Sequence, residues 1–217
     1  MSTPPDREMH YYGDFYKLKG QGCRSTLEIV DFCVPDANID KLMWCQPNIV
    51  VVMMNPGSSC PLDPKYVENN RTPAEIGPSA KLTSTRPDNV QDTIVKLMRR
   101  KRLRHARVLN LSDIRQARNF PEEYANGNLP DGHSIFCKAR RAELETRLRG
   151  KPDVIAAWSY HTELGPLTRI AYDTIVSLGV RVHGCEVRFG FQYPRPNGRY
   201  AQQGETKWLK DMCAALA

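Results

Sequence analysis

Apolar and polar positions fall into alternating blocks along the chain, short β-like runs separated by stretches with helical period. The unbroken run Ile49-Val50-Val51-Val52-Met53-Met54 is rich in Val, the pattern of a strand buried on both faces, and Asn48–Met54 is predicted as the first core strand. Asp88 is placed to cap a helix that carries Val90, Ile94, Leu97 and Met98 on one side and ends in Arg99-Arg100-Lys101-Arg102. Ala106–Leu111 reads as a second strand, Asp153–Trp158 as a third and Val180–His183 as a short fourth, with Glu186–Phe191 extending it or adding another. Helices are expected over Ser134–Arg149 and Gly165–Leu178, with Gly150 and Gly179 at their C-terminal stops, and a final amphipathic helix over Gly204–Leu216.

Strands alternating with helices imply right-handed crossovers and a parallel sheet. The expected fold is therefore α/β, a three-layer α/β/α domain around a short, mainly parallel central sheet, covering residues 1–217 without an internal boundary. Residues 1–47 stand apart in pattern. Tyr11–Phe32 has two segments rich in aromatic and β-branched residues around Lys19-Gly20-Gln21-Gly22, either a hairpin or an irregular N-terminal cap. Residues 56–88 hold Pro56, Pro61, Pro64, Pro73, Pro78 and Pro87 and predict a long irregular loop, either a substrate lid or a passive excursion.

Composition narrows the class. With 41% hydrophobic and 25% charged residues the chain reads as globular. No apolar stretch approaches the roughly 18 residues of a membrane span, and the polar start lacks a signal-peptide core, so a cytoplasmic monomer with no membrane association is expected. The seven cysteines show neither a C-x-x-C pair nor zinc spacing, and are read as reduced and mostly buried. The net charge of +7 favours polyanionic partners.

The chemistry concentrates at strand ends. Asn55-Pro56-Gly57 follows the first strand, Asn110 ends the second, and Tyr193-Pro194-Arg195-Pro196-Asn197 lies near the C-terminus. Ligands of open parallel sheets bind at the carboxyl ends of strands. Each motif also has a plain reading, as a turn, a strand-end residue or a surface loop. In order, the three resemble the uracil-DNA glycosylase superfamily, especially its mismatch-specific and single-strand-selective branches. Met54-Asn55-Pro56-Gly57 is similar to the first motif, Val108-Leu109-Asn110-Leu111 to the central base-reading strand, and Tyr193–Asn197 to the His-Pro-Ser-Pro loop. The first and central motifs also look like those of an uncharacterised bacterial family with an apolar strand followed by Asn-Pro.

The resemblance implies a monofunctional DNA N-glycosylase that flips out a pyrimidine, hydrolyses its bond to deoxyribose and needs no metal or organic cofactor. Asn55 and Tyr193 would be catalytic, Asn55 holding the attacking water. Met54, Pro56, Gly57, Ser58, Asn110 and His161 would bind the substrate. Arg195, Asn197 and Arg199 would bind DNA, double- or single-stranded. Apart from the resemblance, the basic run from Lys96 to Arg107, with Arg100 and Arg102, and the basic helix that carries Arg140 read either as further DNA contacts or as a solvated face. Two positions depart from the family. Tyr193 stands where a His is usual and is the weaker electrophile. Gly57 stands where strict uracil enzymes carry a bulky aromatic, which leaves room for mispaired thymine or a bulky 5-modified base such as those of phage DNA. Loop aromatics Tyr66, Phe120 and Tyr124 are candidates for base stacking or for core packing, and Asp63 and Glu68 for a general base. The alternatives are a nucleotide- or nucleoside-processing hydrolase or transferase, and a non-catalytic DNA-binding module.

Overall fold

The computed structural model describes residues 8–159, 161–187, 190–192 and 201–216. Strands β1 (His10–Leu18) and β2 (Gln21–Val30) form a hairpin. Its two turn residues, Lys19 and Gly20, both have positive φ (48° and 82°), the combination whose twist suits a two-residue connection. A 3-10 segment over Asp36–Trp44 precedes β3 (Ile49–Met53), β4 (Leu82–Ser84), α1 (Asn89–Lys101) and β5 (His105–Asn110). Next come α2 (Phe120–Ala125), α3 (Arg141–Arg147), β6 (Asp153–Ala157), α4 (Gly165–Ser177) and β7 (Val182–His183). A separate ribbon of β8 (Cys185–Val187) and β9 (Gly190–Gln192) leads to α5 (Ala201–Ala215).

The main sheet has seven strands in the order β4-β1-β2-β5-β3-β6-β7. It is mixed rather than mainly parallel. β5, β3, β6 and β7 run parallel, whereas β4, β1 and β2 join by antiparallel pairing. The hairpin is the reason: it docks along β5 and, with β4, extends the four parallel strands to seven.

Alternation along β3 sends side chains to two cores. Ile49 and Val51 pack with Val108 and Ile155, under Ile94, Leu97 and Met98 of α1 and Trp208 and Met212 of α5. Val50 and Val52 pack with Leu109 and Val154, under Leu144 of α3 and Leu167, Ala171 and Ile175 of α4. Helix α1 starts at Asp88, whose carboxylate accepts from the Val90 and Gln91 N–H groups in a full capping box. The expected helix over Ser134–Arg149 is shorter, because Ser134, Ile135 and Phe136 are buried as irregular chain and a 3-10 turn over Lys138–Arg140 precedes α3. Among the described residues no helix is long and apolar enough to cross a membrane.

Much of the basic charge is interior. Arg107 is 1% exposed, bonds Glu28 at 2.7 Å and donates to the carbonyls of Leu42, Met43, Cys45 and Arg147. Arg140 bonds Asp113 at 2.6 Å, and Arg71 bonds Asp14 at 2.7 Å. The basic run after α1 therefore does not present Arg107 to a partner. The cysteines also differ from expectation: Cys23 is buried, but Cys33 and Cys45 are exposed, because they flank the 3-10 segment outside both cores.

Candidate functional site

After β3 the chain crosses to β5 through α1, and after β6 it crosses to β7 through α4. The two helices belong to opposite cores, so their connections leave β3 and β6 in opposite directions. Adjacent parallel strands that diverge in this way open a crevice at their carboxyl ends. A cavity of about 250 Å³ lies there. From the β3 end it is lined by Met53, Met54, Asn55, Pro56 and Gly57, and from the β6 end by Ala157, Trp158, Ser159 and His161. The volume lies just below the ~300–1,000 Å³ of drug-sized pockets, so it suits one ring rather than a dinucleotide.

Asn55 is fixed in orientation. Its Nδ2 donates to the Gln116 carbonyl at 2.6 Å and to the Ile114 carbonyl at 3.3 Å. Both partners are acceptors, so the amide nitrogen must face them and Oδ1 is left as an acceptor. The strap that supplies these carbonyls is itself pinned to the hairpin, Arg115 N–H donating to the Gly22 carbonyl at 2.9 Å. Gly57 has φ +60°, a left-handed conformation that favours glycine, and a Cβ built there would meet nothing within 4 Å. The space beside it is open. Ser159 also has positive φ (67°), a strained state for a non-glycine residue that recurs at ligand sites.

Asn110 follows Val108 on the same face of β5, and Val108 lines the cavity. It pairs with Met53 in the parallel ladder and is 0% exposed, yet among the described residues neither Oδ1 nor Nδ2 has a partner. Two orphaned amide atoms cost about 1–3 kcal/mol each. A buried amide without partners next to a cavity fits a group whose partner is a ligand.

The structure thus brings together Met54, Asn55, Pro56, Gly57 and His161 around the cavity and sets Asn110 behind its wall. His161 is exposed at the edge. Ser58 is not part of the lining. It is exposed, and the buried Ser59 is the residue tied into the site, through its Oγ to Arg24 Nη1 at 2.8 Å. Arg100 and Arg102 lie at the other end of α1 from the site. Asp88, Val90 and Gln91 at the helix start line the cavity, and thirteen residues of helix separate the ends by about 20 Å. Arg102 instead ends the helix in a left-handed cap. Tyr193, Arg195, Asn197 and Arg199 lie outside the described residues.

Other candidates are structural. Glu68 is ion-paired with Arg115, and Asp63 accepts from Lys65 N–H on the surface; neither lines the cavity. Phe120 is buried in a core cluster that Tyr124 packs against, and Tyr66 packs edge-on to Phe15 at 6.4 Å. The residue that sequence reasoning missed is Arg24, which lines the cavity from β2. Its signal was a lone cation in the strand Gly22–Ile29 beside small and apolar neighbours.

Fold and site define an α/β domain with a cavity at the switch point of a mixed sheet. No protein-family model matches the chain, and neither a curated protein nor a solved structure matches it.

Proposed function

We propose that the protein is a monofunctional DNA N-glycosylase acting on a flipped-out pyrimidine, with the three-layer arrangement of uracil-DNA glycosylases. The observation that carries the reading is the Asn55 amide, held by two backbone carbonyls, with Oδ1 left without a partner among the described residues beside the cavity. Cleaving an N-glycosidic bond passes through an oxocarbenium-like sugar. A carboxamide is too weak a base to deprotonate water early. It is suited to holding a water that attacks after the bond has largely broken. Asn110, behind the cavity wall, carries a donor and an acceptor that match a pyrimidine edge and would reach it only if the wall gives way to a base that has left the stack. The open space at Gly57 supports a substrate larger than uracil, such as mispaired thymine or a 5-modified cytosine. Tyr193, Arg195, Asn197 and Arg199 enter this reading through the C-terminal motif alone.

The test is excision on oligonucleotides carrying uracil, mispaired thymine, or hydroxymethylated and glucosylated cytosine, scored as alkali-labile abasic sites. Asn55→Ala is expected to lower excision by at least about 100-fold while DNA binding persists. Release of base from free nucleosides without a polymer would replace the reading with a nucleoside-processing enzyme. DNA binding with no release from any substrate would leave a binding module.

A further inference from the structure

Strand β2 carries one residue more than β1 opposite it. Gly13 pairs with Leu27 and Phe15 with Arg24, so two steps on β1 span three on β2. A bulge of this kind re-aims the side chains that follow it. Ser25 and Thr26 both bond on one side, to Asp14 at 2.6 Å and to Glu28 at 3.0 Å. Arg24 emerges on the opposite face and lines the cavity with Val108, Gln91 and Asn55.

Its environment differs from that of the other buried arginines. Arg71, Arg107 and Arg140 each rest on a carboxylate, and Arg147 lies 3.6 Å from that of Glu143. Arg24 is 2% exposed and, among the described residues, makes one side-chain hydrogen bond, to Ser59 Oγ, while Nε is buried without a partner. Burial lowers its pKa to about 10, with Asp88 and Asp113 opposing from beyond ion-pair distance, so it stays charged at neutral pH. Those two acids are already engaged, Asp88 in capping α1 and Asp113 with Tyr16 and Arg140. A buried cation at a cavity with no carboxylate in ion-pair contact is only partly compensated, and it gains when an anion enters.

We propose that Arg24 is the anion-recognising residue of the cavity and that it serves a pyrimidine carrying negative charge, which in the reaction above is the departing base. This assignment of the base rests on the glycosylase reading; the anion site does not. The C1′–N1 bond breaks with both electrons passing to the base. Water forms the new C1′–O bond and loses a proton, which neutralises the released base. A guanidinium in a water-poor site stabilises the charge that develops in this step, the task for which the phenol of Tyr193 is poorly suited.

Calorimetric titration of the full chain with orotate, uracil and inorganic phosphate tests the anion site. Orotate is a pyrimidine with a fixed carboxylate beside N1. The wild type is expected to bind it at least about tenfold more tightly than uracil. Arg24→Gln should lose that preference and Arg24→Lys retain part of it. Equal binding of orotate and uracil, or an unaltered preference in folded Arg24→Gln, overturns the site. Phosphate binding as tightly as orotate overturns the pyrimidine assignment. Arg24→Met is expected to melt no lower than the wild type, and a large drop would mark a structural arginine and overturn the proposal.

Single-turnover excision of uracil and 5-fluorouracil, the better leaving group, then tests the departing base. Arg24→Gln should slow uracil release on the order of 100-fold and 5-fluorouracil release less. Equal losses overturn the leaving-group role. Orotate preference without base release from any DNA upholds the anion site and refutes its assignment to the departing base.

Discussion

Replacing Asn110 by Leu should make the protein more stable and its site useless. Asn110 is fully buried at the end of β5, and both atoms of its amide lack partners among the described residues. Each orphaned group is unfavourable by about 1–3 kcal/mol. Leu has nearly the same shape, introduces no polar atom and adds apolar burial beside the core of Val51 and Val108. Imperfect repacking costs up to about 1.5 kcal/mol. The balance is a net gain of about 1–3 kcal/mol, and at about 2–4 °C per kcal/mol for a domain of this size the melting temperature should rise by about 5 °C. Thermal melting by circular dichroism and urea unfolding measure it, with an unchanged m-value showing that the transition is still the same one. Asn110→Asp should do the reverse, because an unpaired carboxylate would be buried. Orotate binding or base excision by Asn110→Leu should fall with the gain in stability, the exchange expected of a residue kept for its ligand. A melting temperature that stays level or drops in both Asn110→Leu and Asn110→Val refutes the reasoning. The amide would then be satisfied in the free protein, for instance by trapped water, and would have no need of a ligand.

Two further outcomes test the polar interior. Glu28 bonds both Arg107 and His105; burial pushes its pKa up, but Arg107 and His105 outweigh this and hold it at about 2, so Glu28→Gln should strand Arg107 and destabilise by about 3–5 kcal/mol in urea unfolding. His133 is pushed down to about 4 by burial and by Arg140, so between there and 6.5 the unfolded chain binds the extra proton. Stability should be lost as pH falls through that window, by about 3 kcal/mol in total, and His133→Gln should flatten that part of the pH–stability curve.

Local patterns carried α1, α4, the parallel strands and the edge at which the cavity lies, but neither α2 nor the buried irregular chain that shortens α3. A short, unbroken, Val-rich run favours a strand covered on both faces, and Asp88 three residues before Gln91 is a cap wherever the helix goes. The Asn-Pro-Gly after that run had to fall at a carboxyl edge, where the cavity is found. Tertiary structure decided the rest. The hairpin's docking on β5 made the sheet mixed, a choice between covering the sheet and extending it that no local pattern records. Charge alone made Arg107 and Arg140 look like surface contacts, whereas their burial depends on Glu28 and Asp113, 79 and 27 positions away. Strict alternation would set Arg24 beside Thr26 and Glu28 on the far face of β2. One extra residue in the ladder turns it into the cavity, because a period of two has no memory across a bulge.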